Sequence, residues 1–395
     1  MAKLRVGMVT CWYKNIAMAN YSGHLKSEQE KRKVEVEIVT SHCLCEERYC
    51  GSSDIFQGEC RHVSWPTLPF FRIKRRELRV LVWLPQVVYQ LLRGIRYLSQ
   101  CKDCDVIHYQ QCPPFSFDIL PLAGLLLVPT PKVKIVTIHS SSQSMPRWFY
   151  PFLRQLYLRT DRLIVHSNEQ KTEAIKLGLP KSQIEVIQHG ISRTKHLGVK
   201  RKEVTFFGAP TKRKGFFTVL QALRILRNEG RSVHIDVYGI YSEGEKEVAT
   251  TVAQNMGVGD LIRWNGRLSE DEFDKKMQGS LFTFAVYTES VPGSSIITRA
   301  LTNGTPVIAS DIGGSVEYLG RAGIIISNNN PIALARSVTR LLDDELLRRY
   351  VTRRCTARAR SLLLWEEAAK RTLQIYLESM RTREMRVLAH RVAGI

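Results

Sequence analysis

Short apolar runs alternate along the chain with longer segments in which apolar residues recur every three or four positions. A short run of β-branched and aromatic residues predicts a buried strand, and the longer period predicts a helix with one apolar face. Strands and helices that alternate in this way are typical of a parallel sheet covered by helices on both faces. The pattern therefore predicts an α/β fold.

The predicted strands fall into two groups, one in each half of the chain. Those of the first half are 6–10, 34–40, 105–108, 134–139, 161–167 and 185–187. Those of the second half are 204–207, 233–238, 261–264, 281–286 and 306–309. Helices are predicted between them, including 20–33, 74–98 and 216–228, whereas 41–69 is predicted to be irregular.

A polar, basic segment at 193–202 separates the two halves and is the predicted linker. A chain of 395 residues is too long for one ordinary core. We predict two Rossmann-like, doubly wound domains, at 1–192 and 203–364. The remaining part, 365–395, is predicted to hold a helix from Trp365 that crosses back to the first domain. Such sheets bind ligands beyond the carboxyl ends of their strands, so a central cleft faced by both domains is the predicted working site.

The charge balance favours an anionic partner. The chain has 58 Lys and Arg against 37 Asp and Glu, a formal net charge of +21. Nucleic acid, an anionic membrane surface and a phosphorylated substrate would all suit this excess. The strand predicted at 6–10 leaves no room for a secretory leader, and the longest apolar run, 119–128, is too short to span a bilayer. We therefore expect a cytoplasmic protein.

Nine cysteines are present, and most of them lie in the first 112 residues. A cluster within 42–62 could hold zinc; it consists of His42, Cys43, Cys45, Cys50, Cys60 and His62. The spacings fit no standard zinc ribbon or finger. Reduced thiols are favoured over zinc, and disulfides stay open as a third alternative.

A basic loop follows the first strand of the second half. Gly208 ends that strand, and Lys212, Arg213 and Lys214 precede Gly215, where a helix is predicted to begin. Glycine lets a ligand approach the backbone, a helix start offers unpaired N–H groups, and lysine makes a point contact with phosphate. Taken alone, the loop is better explained as a solvated basic turn.

A second loop strengthens the phosphate interpretation. Glu289 follows the strand predicted at 281–286, and Gly293, Ser294 and Ser295 then expose backbone N–H groups where a helix starts. Such donors suit a phosphate, and a neighbouring carboxylate accepts hydrogen bonds from hydroxyl groups. A sugar attached through a diphosphate carries both features, although an ordinary sheet edge with a surface glutamate would also explain the pattern.

At this point the second half resembles the donor domain of the family-4 retaining glycosyltransferases, which have the GT-B fold. The matching segments follow the family's order; they are Gly208 with Lys214-Gly215, then 237–239, 264–268, Glu289, 300–309, 313–317 and 365–366. The first half resembles the family more weakly, at 105–108, 136–139, 161–167 and 186–191. The resemblance covers nearly the whole chain.

The resemblance implies transfer of a hexose, with retention, from a nucleotide-diphosphate sugar to a hydroxyl acceptor, which could be lipid-linked or a growing glycan. It implies no metal at the site and no cofactor besides the donor. Lys214 would hold the donor diphosphate, Glu289 the sugar hydroxyls, and the backbone of Gly293 to Ser295 the sugar or phosphate. His139 would lie near the transferred sugar, and Gly266 to Leu268 would border the base.

Three departures from the family pattern bear on the site. Ala209 stands where the family has arginine, so Lys212 or Arg213 would have to supply that charge. Arg299 stands in the slot of the acid that binds the ribose and is therefore predicted to contact the donor, and the loop 14–20 lacks the usual glycines. A degenerate protein that binds a sugar nucleotide without turnover is therefore the alternative.

The segment 74–98 carries six Lys and Arg and one acid. Its apolar residues are predicted to share one helical face; they are Leu84, Val88, Leu91, Leu92, Ile95 and Leu98. Such a helix could lie on the inner face of an anionic membrane as a peripheral anchor, or it could pack inward with a solvated basic face. Nucleic-acid binding would also explain the charge, but the sequence contains no recognisable nucleic-acid-binding motif.

Overall fold

The computed structural model of the protein describes residues 3–10, 17–41, 61–63, 76–111, 119–139, 147–194, 198–291 and 293–392. The chain divides into two compact units. Unit 1 comprises Met1–Gln188 and Trp365–Ile395, and unit 2 comprises His189–Leu364. The C-terminal helix thus belongs to the unit that holds the N-terminus.

Unit 1 contains a sheet of seven parallel strands. In chain order they are β1 (Arg5–Val9), β2 (Glu35–Ser41), β3 (Arg61–Val63), β4 (Val106–Gln111), β5 (Val133–Ile138), β6 (Arg162–Val165) and β7 (Ile184–Val186). Their order in the sheet is β3-β2-β1-β4-β5-β6-β7. The order reverses at β1, which lies between β2 and β4, and this is the position where doubly wound sheets bind ligands.

Unit 2 contains six parallel strands. They are β8 (Glu203–Phe207), β9 (Ile235–Tyr238), β10 (Ile262–Gly266), β11 (Ser280–Ala285), β12 (Val307–Ser310) and β13 (Ile324–Ile326). Their order is β10-β9-β8-β11-β12-β13, so the reversal falls at β8. The loops after β8 and β11 therefore leave from neighbouring strands at the ligand-binding position.

Helices cover these sheets. In chain order they are α1 (Ala17–Glu30), α2 (Arg76–Gln100), α3 (Ile119–Leu127), α4 (Tyr150–Tyr157), α5 (Asn168–Lys176), α6 (Phe216–Asn228), α7 (Glu243–Asn255), α8 (Glu270–Gly279), α9 (Ser295–Thr302), α10 (Ser315–Leu319), α11 (Pro331–Asp343), α12 (Glu345–Ala359) and α13 (Trp365–Val392). Among the described residues, no helix is both long enough and apolar enough to cross a bilayer.

Local sequence explains where several helices begin. Ser242 and Ser269 each accept a hydrogen bond from the backbone N–H three residues later, and the glutamate carboxylates there accept one from the serine backbone N–H. These two capping boxes fix the starts of α7 and α8. In unit 1, α2 and α3 approach through glycine: a Cβ on Gly94 would lie 1.9 Å from the Pro121 oxygen, and one on Gly124 would lie 2.0 Å from the Leu91 oxygen. Only glycine permits this backbone contact.

The α/β prediction is confirmed, and the main strands lie within a few residues of their predicted positions. Two strands were not predicted, β3 and β13. Each has three residues and lies at a sheet edge, so it is too short to produce a readable period. The zinc candidates Cys43, Cys45, Cys50 and Cys60 lie outside the described residues, as does most of the loop 14–20.

Candidate functional site

The loop after β8 is shaped by two glycines. Gly208 has φ of 126° and Gly215 has φ of 74°, values that residues with a Cβ rarely adopt. A Cβ on Gly215 would lie 1.8 Å from the carbonyl oxygen of Val286, so the loop presses against the end of β11. The Lys214 side chain runs beside Gly208, where an added Cβ would lie 3.7 Å from its Cε. The glycines thus leave room for this lysine at the carboxyl edge of the sheet.

The loop after β11 is tied to this basic loop. The Thr288 N–H donates to the Arg213 oxygen at 3.1 Å, and the Thr288 hydroxyl donates to the Lys212 oxygen at 3.0 Å. Glu289 follows directly and is exposed. The predicted acid and the predicted basic loop therefore lie on backbone segments that are hydrogen-bonded to each other.

The loop after β12 also contacts the segment that carries Glu289. The Gly314 N–H donates to the Val291 oxygen at 2.8 Å. Gly313 has φ of 62°, and a Cβ there would lie 2.5 Å from the Val291 nitrogen. The segment that carries Glu289 is consequently held between two glycine loops, which explains why the sequence repeats a glycine turn after the next strand.

The charges of this edge are not neutralised by the described part of the chain. Within that part, Lys212, Arg213, Lys214 and Glu289 form no ion pair and no side-chain hydrogen bond with another described residue. The Lys214 ammonium lies 4.9 Å from the ring centroid of Tyr287, within cation–π range. The site therefore presents cations and a carboxylate to solvent, where a ligand can use them.

The start of α9 is held by Ser294. This residue is buried, its Oγ accepts from the Ile297 N–H at 3.1 Å, and it lies 2.7 Å from the Tyr287 hydroxyl. The Ser294 side chain is therefore occupied in capping the helix. The N–H groups of Ser295 and Ile296, in the first turn, have no intrahelical acceptor and remain as donors.

Arg299 contacts α8 rather than the loops after β8 and β11. Its guanidinium pairs with Glu270 at 2.6 Å and with Asp274 at 2.7 Å, and it lies 3.8 Å above the Phe273 ring. Two carboxylates thus already neutralise its charge. These contacts favour a structural role, and the predicted contact between Arg299 and the donor is supported by none of them.

The segment predicted to border the base begins at Gly266, the last residue of β10, and continues to Leu268. Gly266 has φ of 72°, and its N–H donates to the Tyr241 hydroxyl at 3.0 Å. Arg267 is exposed, whereas Leu268 packs against the buried cluster of this side of the sheet. Backbone at Gly266 and the Arg267 side chain are therefore the accessible parts of the segment.

His139 belongs to unit 1 and to a different environment. Its Nδ1 lies 2.9 Å from His166 Nε2, and its Nε2 lies 2.9 Å from Gln110 Oε1. The Tyr21 ring meets its edge at 4.6 Å. Both ring nitrogens are thus engaged by the protein, so a role beside the transferred sugar would require the half-buried ring to exchange a partner.

The two neighbouring histidines are buried and neutral. His166 donates through Nδ1 to the Ile187 carbonyl at 2.8 Å, and His108 lies between the Tyr376 hydroxyl at 2.5 Å and the Thr137 hydroxyl at 2.6 Å. Burial lowers the pKa of His166 to about 4 and that of His108 to about 3. His108 joins β4 and β5 to α13, and His166 joins the end of β6 to the backbone that follows β7.

The structure thus brings together the loop 212–214, Glu289 and the start of α9 at one sheet edge of unit 2, and leaves out Arg299. Sequence reasoning missed Tyr287 and Thr288, which position these groups. Their signal was present: an aromatic and a hydroxyl residue fill the two places between the end of a buried strand and the acid.

Two family models match the chain. The model "Glycosyltransferase Family 4" matches residues 18–195, and the model "Glycosyl transferases group 1" matches residues 191–358. The chain is 23% identical to a D-inositol 3-phosphate glycosyltransferase of Streptomyces avermitilis, over 60% of this chain and 56% of that one. It is 25% identical to an O-antigen chain mannosyltransferase B of Escherichia coli, over 43% of this chain and 44% of that one. The matched region spans about half the length of these curated relatives.

Solved structures agree on the fold. Anabaena HepE in complex with UDP and glucose superimposes with a TM-score of 0.71 at 14% identity, covering 94% of this chain and 98% of that one. Staphylococcus aureus TarM gives a TM-score of 0.70 at 10% identity, covering 94% of this chain and 99% of that one. The two family models together run from residue 18 to residue 358, and the chain belongs to glycosyltransferase family 4, with the GT-B fold.

Proposed function

We propose that the chain is a retaining glycosyltransferase that moves a hexose from a nucleotide-diphosphate sugar to a hydroxyl acceptor. One observation carries the proposal: the carboxyl edge of unit 2 presents three cations and a carboxylate, on loops tied to one another, that no described residue neutralises. Charged side chains that have no partner in the described part of the chain, at the sheet edge where such folds bind ligands, are suited to pairing with a charged ligand.

The chemistry follows from where charge develops. When the bond between the sugar and the diphosphate breaks, negative charge grows on the leaving phosphate. Lys214, with the N–H donors of Ser295 and Ile296, would stabilise that charge, and Glu289 would hold the sugar by accepting hydrogen bonds from its hydroxyl groups. Donors fixed before the reaction are effective because they need little reorganisation. In this proposal no metal takes part, and the donor is the only small molecule required besides the acceptor.

The donor class is supported by a structural neighbour, since HepE has been solved with UDP and with UDP-glucose. The base and sugar for this chain stay open. A thermal-shift comparison of UDP-, GDP-, ADP- and dTDP-sugars tests the proposal, because a ligand that binds only the folded state raises the unfolding temperature. We expect one nucleotide class to stabilise the protein and the Lys214→Ala protein to lose that response. A response that is unchanged by Lys214→Ala would count against the proposal.

Binding of a sugar nucleotide without turnover is the second candidate. It is favoured by the ion pairs of Arg299, because the slot that should hold the ribose then offers neither an acid nor an unpaired charge. A product assay separates the two candidates: both give donor binding, but only the transferase gives a glycosylated acceptor or, without acceptor, slow donor hydrolysis.

We further propose peripheral binding to an anionic membrane through α2. On this helix Leu91 and Leu98 pack inward, whereas Val88, Leu92 and Ile95 form an exposed stripe with exposed fractions of 47%, 46% and 41%. Exposed apolar residues beside arginines suit the boundary of an anionic bilayer. Val88→Ser with Leu92→Ser should reduce sedimentation with phosphatidylglycerol vesicles. Salt-sensitive binding to duplex DNA but not to vesicles would favour a nucleic-acid partner instead.

A further inference from the structure

Arg93 is a half-buried cation on α2 that has no acidic partner among the described residues. Its Nη1 donates to Gln90 Oε1 at 3.0 Å, while its Nε is buried and has no hydrogen-bond partner. No ion pair joins it to any other residue in the described ranges. A guanidinium in such a place is costly, because a buried charge needs hydrogen bonds and an opposite charge to offset its lost hydration.

The surroundings of Arg93 are aromatic and neutral. Its guanidinium carbon lies 5.9 Å from the Tyr97 ring centroid, and that ring meets the Tyr109 ring at 6.4 Å. Burial opposes the charged form of Arg93, but electrostatic attraction to the neighbouring tyrosines and a hydrogen bond to Tyr97 act the other way, so the pKa of Arg93 is raised above the ordinary arginine value. Arg93 is therefore a cation at every physiological pH.

Arg93 lies on the side of unit 1 where a ligand is expected. The C-terminal end of α2 packs at the middle of β1, where a Cβ on Gly7 would lie 2.4 Å from the Cys101 Sγ. Tyr97, one turn earlier in α2, packs against Tyr109, which pairs with the last residue of β1. Arg93 is one turn earlier again, so it lies toward the carboxyl ends of the strands, where open α/β sheets bind ligands.

The Nε of Arg93, which has no hydrogen-bond partner, belongs to a group with a definite chemical preference. Nε and Nη2 together form the two-pronged fork that fits both oxygens of a phosphate or a carboxylate. We propose that Arg93 binds an anionic group, a phosphate or a carboxylate, of the acceptor. The acceptor part of this inference rests on the proposed transferase function, whereas the anion site itself stands on the contacts of Arg93.

A phosphate titration in a Lys214→Ala background tests the site, because that change removes the phosphate contact expected in unit 2. Inorganic phosphate is titrated at constant ionic strength and followed by phosphorus NMR. Arg93→Gln should weaken phosphate binding at least tenfold. Arg93→Lys, which keeps the charge and loses the fork, should weaken it severalfold. The matched control Lys102→Gln removes an exposed cation near the other end of α2 and should change nothing.

The outcomes are separable. Equal phosphate affinity with and without Arg93→Gln would overturn the inference, and Arg93→Lys gives the same comparison if the glutamine variant does not fold. Loss of binding to phosphatidylglycerol vesicles in Arg93→Gln, with no such effect on phosphatidylcholine, identifies a lipid headgroup as the source. Loss of phosphate binding alone identifies a soluble phosphorylated acceptor. Failure of sugar transfer would overturn the proposed function without affecting the phosphate result.

Discussion

At the carboxyl edge of unit 2, the loop 212–214 and Glu289 carry charges that no described residue neutralises. In unit 1, His139 and His166 follow β5 and β6 and His108 lies within β4; the three are engaged by hydroxyls, an amide, a backbone carbonyl and each other. Both units hold polar residues beyond buried strands, but only unit 2 leaves them available. The difference indicates that a polar residue at a strand end is a ligand-binding candidate when its partners are absent from the protein, and a structural one when they are present.

The largest expected effect is on transfer. Lys214→Ala and Glu289→Ala should each lower the transfer rate by about 1,000-fold, in the range seen when one preorganised electrostatic contact is removed. Neither side chain forms an ion pair or a hydrogen bond with the described residues, so the unfolding temperature should stay nearly constant. Lys246→Ala, on the exposed face of α7, is the matched control for rate. A Lys214→Ala enzyme with normal rate would remove the functional distinction between the two units.

We expect a fall in pH to lower the stability of unit 1 first. His108 and His166 have pKa values of about 3 and 4 when folded, against 6.5 when unfolded, so the unfolded chain takes up protons more readily. Their contribution to stability is complete above pH 6.5 and falls as the pH drops toward 4, by up to about 1.4 kcal/mol per histidine and pH unit. Calorimetric unfolding between pH 7 and pH 5 measures it. His166→Gln should flatten the profile, and an unchanged slope would contradict the assigned burial.

Arg299 tests the boundary of the unit 2 site. Because its guanidinium is paired with Glu270 and Asp274, Arg299→Ala should cost about 2 kcal/mol of unfolding free energy, as the loss of a partly buried charged hydrogen bond does. Donor affinity should change less than twofold. Arg336→Ala, at an exposed position of α11, is the control for stability. A large loss of donor affinity at full stability would restore Arg299 to the donor site.

The smallest expected effect concerns the C-terminal helix. The Tyr376 hydroxyl accepts from Gln29 Nε2 at 3.2 Å and bonds His108, so Tyr376→Phe should lower the unfolding free energy by about 1 kcal/mol. Tyr350→Phe, whose ring is exposed on α12, should change it by less. Chemical denaturation measures both. Equal effects would mean that the buried network of unit 1 does not hold α13.

Most of the candidate site in unit 2 could be predicted from the sequence because its residues lie close together in the chain. The strand, the glycine and the basic residues of the loop after β8 are contiguous, and so are the strand, the acid and the small residues after β11. In unit 1 the partners of His108 include Tyr376, which is 268 residues away, so no local pattern could show that His108 is already bonded.

Arg299 and Arg93 show the same limit of prediction from sequence: Arg299 was expected to bind a ligand and did not prove available, whereas Arg93 was not singled out. Arg299 was expected to reach the donor because of its place in the family pattern, but two acids of α8, 25 and 29 residues earlier in the chain, bind it. Arg93 looked like one more cation on a basic helix, and only its position beside Tyr97, with Nε left without a hydrogen-bond partner, separates it from the others. Side-chain pairing across elements decides such cases, and a single sequence does not contain it.

Titration calorimetry of a nucleoside diphosphate tests most directly the claim that unit 2 binds the donor diphosphate through Lys214. The nucleoside monophosphate of the same base serves as reference, with the base taken from the thermal-shift comparison. The wild-type protein should bind the diphosphate more tightly than the monophosphate, and Lys214→Ala should weaken diphosphate binding at least tenfold while leaving monophosphate binding nearly unchanged. Equal loss for both ligands, or no loss for either, would contradict the account.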